Sequence, residues 1–277
     1  MKTILVVANE TLAGQPLIDA VLAKAGDDQA RVVICVPRTR PKHGNIIYDD
    51  AVYDAAQVRI DLARGFLRRQ GVEAVGDVGD PDPYTATMDA VAEWHPDEII
   101  VSTYPVASSG WLRRDLIERI AEAANVPVQH VVVDVDAEGL PFRVSLVVAN
   151  RTTRGNELID ALKDKAEDAQ HLFIVVVPQE GGGGLAASAA RGRLSQLRER
   201  ARHAGLLVAG MVGDPDPFTA TMNALQFFRI DDIVISTLPA TRSGWLRADL
   251  IERVKRATNS PVEHVVAGQD AKASQEA

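Results

Sequence analysis

Cysteine is nearly absent from this chain of 277 residues, which contains only Cys35. One cysteine cannot form a disulfide within the chain, and a cysteine-based zinc site needs at least two thiolates at a fixed spacing. A single reduced thiol is ordinary in cytoplasmic proteins. The sequence therefore predicts a cytoplasmic protein with no metal centre.

Long apolar runs and an excess of basic residues are also lacking. The longest apolar runs are far shorter than the roughly 18 residues of a membrane-spanning helix, and the N-terminus lacks the pattern of a signal peptide. The 30 Lys and Arg residues stand against 38 Asp and Glu residues, which gives a net charge of −8. Because nucleic-acid phosphates bind basic surfaces, we expect no membrane span and no nucleic-acid partner.

Motifs of known catalytic machineries are missing as well. The sequence has no Gly-x-Ser-x-Gly nucleophile turn, no His-Glu-x-x-His zinc motif and no Gly-x-x-x-x-Gly-Lys-Ser/Thr phosphate loop. His130 and His264 lie inside apolar runs without a second ligand at metal spacing, so both are interpreted as structural or interface residues. No catalytic residue is predicted.

What the chain does contain is a copy of itself. Residues 78–88 recur as residues 212–222 with ten of eleven positions identical, and residues 99–119 recur as residues 233–253 with 14 of 21 identical, both at an offset of 134. Nearer the N-terminus the offset is 141. Copies of this length are domains rather than solenoid units. We predict domains at 1–139 and 140–268, followed by a flexible tail at 269–277.

Each copy alternates apolar runs with helical patterns. In the first copy, residues 4–8, 32–36, 98–102 and 130–133 are rich in Val and Ile and lack polar alternation, as expected of parallel strands buried on both faces. Residues 72–75 are a weaker fifth candidate. The pattern predicts an α/β fold, with two tandem open parallel five-stranded sheets that carry helices on both faces.

Ligands of such sheets bind beyond the carboxyl ends of the strands, where the strand order reverses. Candidate ligand-binding residues are therefore those that follow the strands or begin the next helix. In the first copy they are Ala8, Asn9, Pro37, Gly79, Asp80, Ser102, Thr103, Ser109, Gly110 and Arg113. In the second copy they are Ala149, Asn150, Pro178, Gly213, Asp214, Ser236, Thr237, Ser243, Gly244 and Arg247.

Each group also has a structural interpretation. The Gly79-Asp80 turn leads to Asp82 and Pro83, which are typical of a helix start. Ser109-Gly110 could cap a helix or, together with Arg113, form an anion site at a positive helix end. Asn after a strand commonly forms an Asx turn or a cap instead of binding a ligand. Trp111 and Trp245 are expected to pack under their loops, with stacking on a base as the alternative.

Both copies resemble the universal stress protein family in tandem form. The resemblance rests on the alternating strands and helices, the Gly-Asp-Pro turn at 79–81 and 213–215, and the Val-Pro-Val and Ser-Pro-Val segments at 126–128 and 260–262. It implies an open parallel sheet related to the adenine-nucleotide α-hydrolases, with ATP bound in some members. The ATP-binding members carry an acidic residue where this chain has Asn9 and Asn150, and a glycine-rich phosphate loop where it has Ser102-Thr103-Tyr104-Pro105.

The resemblance also implies pairing of domains through their last strands. We therefore expect a pseudo-two-fold internal pair of domains, with residues 130–132 near residues 264–266. Whether two such chains also form a homodimer is left open by the sequence. The leading hypothesis is a non-enzymatic, stress-associated regulatory protein that binds ATP, another adenine nucleotide or another phosphorylated small molecule. The alternatives are a ligand-free protein-interaction module and a weak ATP hydrolase.

Overall fold

The computed structural model describes residues 1–26, 30–40, 49–105, 111, 115–181, 183–239 and 243–267, apart from the side chain of Arg247. Three predicted site residues, Ser109, Gly110 and Arg113, lie outside the described residues, as does the predicted tail at 269–277. The described chain divides into two compact units, the first ending at Pro141 and the second beginning at Phe142.

Unit 1 is an open sheet of five parallel strands in the order β3-β2-β1-β4-β5. Its elements are β1 (Thr3–Val7), α1 (Gln15–Ala25), β2 (Arg31–Pro37), α2 (Asp49–Arg69), β3 (Glu73–Gly79), α3 (Pro83–Trp94), β4 (Glu98–Thr103), α4 (Leu116–Ala124), β5 (Val128–Val132) and the short helix α5 (Val135–Glu138). Strands and helices alternate up to the last strand, as the sequence predicts.

Unit 2 repeats this order, with β6 in the place of β1, and again all strands are parallel. Its elements are β6 (Arg143–Val148), a 3₁₀ turn (Arg151–Arg154), α6 (Asn156–Asp168), β7 (His171–Pro178), α7 (Gly184–His203), β8 (Leu207–Gly213), α8 (Pro217–Phe227), β9 (Asp232–Thr237), α9 (Gly244–Arg247), α10 (Leu250–Ala257) and β10 (Val262–Val266). The predicted α/β architecture of two tandem five-stranded parallel sheets is confirmed.

The strands are apolar throughout because both faces of each sheet are covered. In β1, Ile4 and Val6 pack with α1 and α2, whereas Leu5 and Val7 pack with α3 and α4. Successive side chains of a strand point to opposite faces, so a strand between two helical layers needs an apolar residue at every position. This explains why a continuous apolar run, rather than an alternating one, marked these strands.

One helical pattern is interrupted in the structure. In unit 2, α9 ends at Arg247 and α10 begins at Leu250, so the helical segment after Ser243 is not continuous. Asp249 between them adopts a left-handed conformation with φ of 49°. Periodicity could not indicate this break, because the apolar spacing continues across it. No helix in the described part of the chain is long and apolar enough to cross a membrane.

Candidate functional site

The strand order reverses between the first and fourth strands of each unit. In unit 1, β1 pairs with both β2 and β4, so the chain leaves the sheet in opposite directions from β1 and β4. In unit 2, β6 and β9 take these places. Such a point leaves a crevice beyond the carboxyl ends of the two strands, where open α/β sheets bind their ligands.

The crevice of unit 2 is a cavity of about 310 Å³, which we call the second notch. It is lined by Asn150, Arg151, Thr152, Glu180, Ser236, Thr237, Leu238, Ser243, Gly244 and Trp245. Five of the residues predicted from the sequence are thus brought together: Asn150, Ser236, Thr237, Ser243 and Gly244. Trp245 contributes to the wall, and the cavity remains open beside it.

Two polar atoms in the second notch are buried without a hydrogen-bond partner among the described residues. They are Oδ1 of Asn150 and Oγ of Ser236, whose residues are only 7% and 1% exposed. The other amide atom of Asn150, Nδ2, donates to Oε1 of Glu180 at 3.4 Å. Burying a polar atom without a partner costs on the order of 1–3 kcal/mol, and such atoms in native proteins usually meet a water or a ligand.

Unit 1 has the same pair at the ends of β1 and β4, which we call the first notch. Oδ1 of Asn9 and Oγ of Ser102 are buried and likewise lack a partner in the described chain. Nδ2 of Asn9 donates to the carbonyl oxygen of Pro37 at 3.0 Å, which fixes the amide so that Oδ1 is the free atom. The same two unsatisfied groups therefore recur at the same place in both units.

Thr103 and Thr237 hold the two strand histidines. Oγ1 of Thr103 lies 2.9 Å from Nε2 of His130, and Oγ1 of Thr237 lies 2.8 Å from Nε2 of His264. Burial lowers the pKa of both histidines, which favours the neutral imidazole. Each hydroxyl and imidazole satisfies the other, in keeping with the structural interpretation of His130 and His264.

The Gly-Asp turns have an architectural function in the structure. Oδ1 of Asp80 accepts from the backbone N–H of Asp82 at 2.8 Å, and Oδ2 of Asp82 accepts from the N–H of Thr85, capping α3. A Cβ at Gly79 would lie 2.6 Å from Cβ of Ala86 and 2.9 Å from Sγ of Cys35. Gly79 is therefore required for close packing of α3 on the sheet.

The same holds in unit 2, where Oδ1 of Asp214 accepts from the N–H of Asp216 at 2.9 Å and a Cβ at Gly213 would lie 2.7 Å from Cβ of Ala220. Gly213 and Asp214 are not among the described residues that line the second notch, and neither are Ala149 and Pro178. Ala8 and Ala149 are fully buried.

Ser243 caps a helix of a single turn. Its Oγ accepts from the backbone N–H of Leu246 at 3.2 Å, and α9 ends one turn later. The aligned dipoles of a long helix are therefore missing at this point, and the predicted positive helix end is reduced to a few free N–H groups. Ser243 and Gly244 contribute to the notch as polar wall residues.

A second cavity, of about 660 Å³, lies in unit 1 beside the ends of β2 and β3. We call it the arginine cavity because Arg38, Arg40 and Arg119 line it, together with Thr39, Asp49, Val52, Pro81, Asp82, Pro83, Trp111 and Leu116. Nε of Arg38 donates to the carbonyl oxygen of Gly79 at 3.2 Å, Arg40 pairs with Asp49, and Arg119 lies 4.0 Å above the ring of Tyr84.

Sequence reasoning missed a polar cluster at the opposite, amino edge of the unit 2 sheet. Oγ of Ser145 lies 2.9 Å from both Nε2 of His171 and Oδ1 of Asp232, and Lys165 pairs with Asp232 at 3.2 Å. Unlike Ser102 and Ser236, Ser145 has a hydroxyl that is engaged by two side-chain partners, His171 and Asp232. The cluster neutralises buried charges and is not a nucleophile with its base.

Within the described ranges, no group of three His, Cys, Asp or Glu side chains could hold a metal ion.

No family model matches this sequence, and no curated protein matches it either. Among solved structures, the chain is similar to a universal stress protein from Archaeoglobus fulgidus DSM 4304, with 15% identity, 97% of each chain covered and a TM-score of 0.38. It is also similar to PA1789 from Pseudomonas aeruginosa PAO1, a functionally unknown protein, with 18% identity, 96% of this chain and 93% of that chain covered and a TM-score of 0.32. The fold itself is established by the strand order of each unit.

Proposed function

We propose that this chain is a stress-associated regulatory protein of the universal stress type, cytoplasmic and non-enzymatic, whose notches bind a nucleotide or a similar small molecule. The observation that carries the proposal is the recurrence of one buried, unsatisfied Asn Oδ1 and one buried, unsatisfied Ser Oγ at the strand-order reversal of both units. Burying such atoms is costly unless a ligand or water satisfies them.

The chemistry of the pair sets the kind of ligand. Asn Oδ1 is an acceptor and calls for an N–H or O–H on the ligand, whereas Ser Oγ can donate as well as accept. Nucleobases and sugars present both kinds of group. The second notch, at about 310 Å³, is at the lower end of the roughly 300–1,000 Å³ typical of small-molecule pockets.

The proposal of a non-enzymatic function is supported by the surroundings of the two serines. A serine nucleophile needs a base within hydrogen-bond reach, and neither Ser102 Oγ nor Ser236 Oγ has such a partner in the described chain. The strand histidines are engaged with Thr103 and Thr237 instead. A binding function therefore accounts for the site better than acyl or phosphoryl transfer.

Isothermal titration calorimetry with ATP, ADP, AMP and cyclic nucleotides tests this function. We expect at least one of them to bind, and Ser236→Ala or Asn150→Ala to weaken or abolish binding in unit 2. Ser188→Ala, on the exposed face of α7, is the matched control and leaves binding unchanged. Absence of heat and of any thermal shift with every one of these nucleotides would overturn the proposal.

A second candidate function is a protein-interaction module, which the exposed last strands favour. β5 and β10 are edge strands, and Val132 and Val266 on them are 46% and 36% exposed. Edge strands with exposed apolar side chains can pair with another chain. If this is the function, Val132→Lys lowers the self-association measured by sedimentation equilibrium, whereas Leu185→Lys, on exposed α7, does not.

A further inference from the structure

The two units differ at one aligned position beside their notches. Two residues after the proline that ends the second strand, unit 2 has Glu180 and unit 1 has Thr39. Glu180 lines the second notch, and Thr39 lines the arginine cavity between Arg38 and Arg40. The same point of the fold therefore carries a carboxylate in one unit and lies between two arginines in the other.

Glu180 is a fixed carboxylate. Its Oε1 accepts from Nε of Arg151 at 2.6 Å, its Oε2 accepts from Nη2 of Arg151 at 3.2 Å, and Nη2 of Arg193 lies 4.0 Å from Oε2. These contacts hold the pKa of Glu180 below its usual range, so the group is charged at neutral pH. Oε1 also accepts from Nδ2 of Asn150, so Oε2 is the oxygen that keeps a lone pair for a further donor, such as a hydroxyl of a ligand.

In α/β sheets that bind dinucleotides, a carboxylate accepts a hydrogen bond from a ribose hydroxyl, whereas a nearby arginine accommodates a phosphate that replaces this hydroxyl. A phosphate placed beside Glu180 would meet a like charge and would find the guanidinium of Arg151 already engaged by that carboxylate, whereas a hydroxyl would meet an acceptor. The second notch is accordingly built for hydroxyls rather than phosphate.

Unit 1 has more arginines than carboxylates at this point, since Arg38, Arg40 and Arg119 line the arginine cavity together with Asp49 and Asp82. Asn9 of the first notch donates to the carbonyl of Pro37, the residue before Arg38, so the arginine cavity adjoins the notch. Arg38 is fixed by its bond to the carbonyl oxygen of Gly79. A further carboxylate, Glu10, follows the first strand and accepts from the hydroxyl of Tyr104 at 3.1 Å.

We propose, resting on the proposed function, that the two notches bind different classes of ligand. The first takes a phosphorylated ligand, with its phosphate in the arginine cavity. The second takes an uncharged ligand with neighbouring hydroxyls, such as a nucleoside, one of which donates to Oε2 of Glu180. Glu180 and Thr39 are the residues that determine this difference.

Calorimetric titration with AMP and with adenosine tests this assignment, because the two probes differ only in the phosphate. The wild-type chain is expected to bind one AMP. Glu180→Gln keeps the size of the side chain and removes its charge, so it is expected to open the second notch to AMP and to raise the stoichiometry to two AMP per chain. The same variant is expected to weaken adenosine binding in the second notch about tenfold, the order expected for one charged contact in a partly solvated site. Thr39→Glu weakens the AMP site of unit 1 by a similar factor.

Glu167→Gln, on the exposed face of α6, makes the same charge change away from the notch and is expected to alter neither titration. Two equivalent AMP sites in the wild-type chain, or an unchanged single AMP site in Glu180→Gln, would overturn the assignment while leaving nucleotide binding intact. Failure of both probes to bind the wild-type chain would instead count against the proposed function itself.

Discussion

His171 shows how a buried ionisable residue couples the stability of unit 2 to pH. Its imidazole lies against Ser145 and stacks on Phe173 at 4.9 Å between ring centroids. Burial is the main cause that lowers its pKa, and the nearby Asp232 only partly opposes the shift. The folded protein therefore keeps His171 neutral at pH values where an unfolded chain, with a histidine pKa of about 6.5, takes up a proton.

The expected result is a free energy of unfolding that falls as the pH decreases from about 6.5, because the unfolded state then binds more protons than the folded state. The stability is fully present above the pKa of the unfolded histidine and is lost toward the lower pKa of the folded one. Urea unfolding at several pH values between 5.5 and 8 measures this slope, which His171→Gln makes shallower. His203→Gln, at an exposed position, is the control; an equal loss of slope in both variants would contradict the role of burial.

At the residue scale, the sequence indicated half of the second notch. Asn150, Ser236, Thr237, Ser243 and Gly244 were predictable because each lies at the carboxyl end of a strand or at the start of a helix, and strand ends of a parallel sheet meet at one edge.

Arg151 and Glu180 were not predictable, because they lie in turns whose course depends on contacts between distant segments. The cluster of Ser145, His171 and Asp232 was missed for a similar reason. Its three residues start or lie within separate strands, and only strand register brings them together.

At the scale of elements, Gly79 sets how closely α3 approaches the sheet. Gly79→Ala is expected to destabilise the protein by about 1–3 kcal/mol, because its new Cβ would overlap Cβ of Ala86 and Sγ of Cys35. Gly192→Ala is the matched control, since it adds the same methyl group within α7 where no atom lies within 4 Å. That control should stabilise the protein by about 0.5–1 kcal/mol through its higher helix propensity. Chemical denaturation measures both changes, and the same sign in the two variants would contradict the packing argument.

The sequence predicted most elements because local signals and tertiary packing agree. Apolar runs marked the buried strands, and Asp82 and Pro83 marked the start of α3, where the structure has the predicted cap. The third strand was weakly indicated, since β3 contains Gly76 and Asp77 and is only partly buried. The break at Asp249 was not indicated, because a left-handed residue changes the backbone without changing the apolar spacing.

At the scale of the whole molecule, each unit has its own sheet and its own apolar layers. Fragments 1–141 and 142–277 are therefore expected to fold separately, since each retains all five strands and the helices that cover them. Far-ultraviolet circular dichroism of the two fragments should sum to that of the full chain, and each fragment should unfold cooperatively in urea. A fragment without a cooperative transition would show that its core is incomplete alone. The pseudo-two-fold pairing of the last strands stays a prediction.

The burial of Cys35 has a practical consequence. The residue is only 3% exposed, and its thiol donates to the carbonyl oxygen of Ala86. Burial raises the pKa of this thiol to about 12, so almost none of it is thiolate at neutral pH. Maleimide dyes react with thiolates that they can reach. Cys35 is therefore expected to stay unlabelled. A second cysteine introduced at an exposed position in either unit could be labelled selectively with a fluorophore or a spin label, without first replacing Cys35.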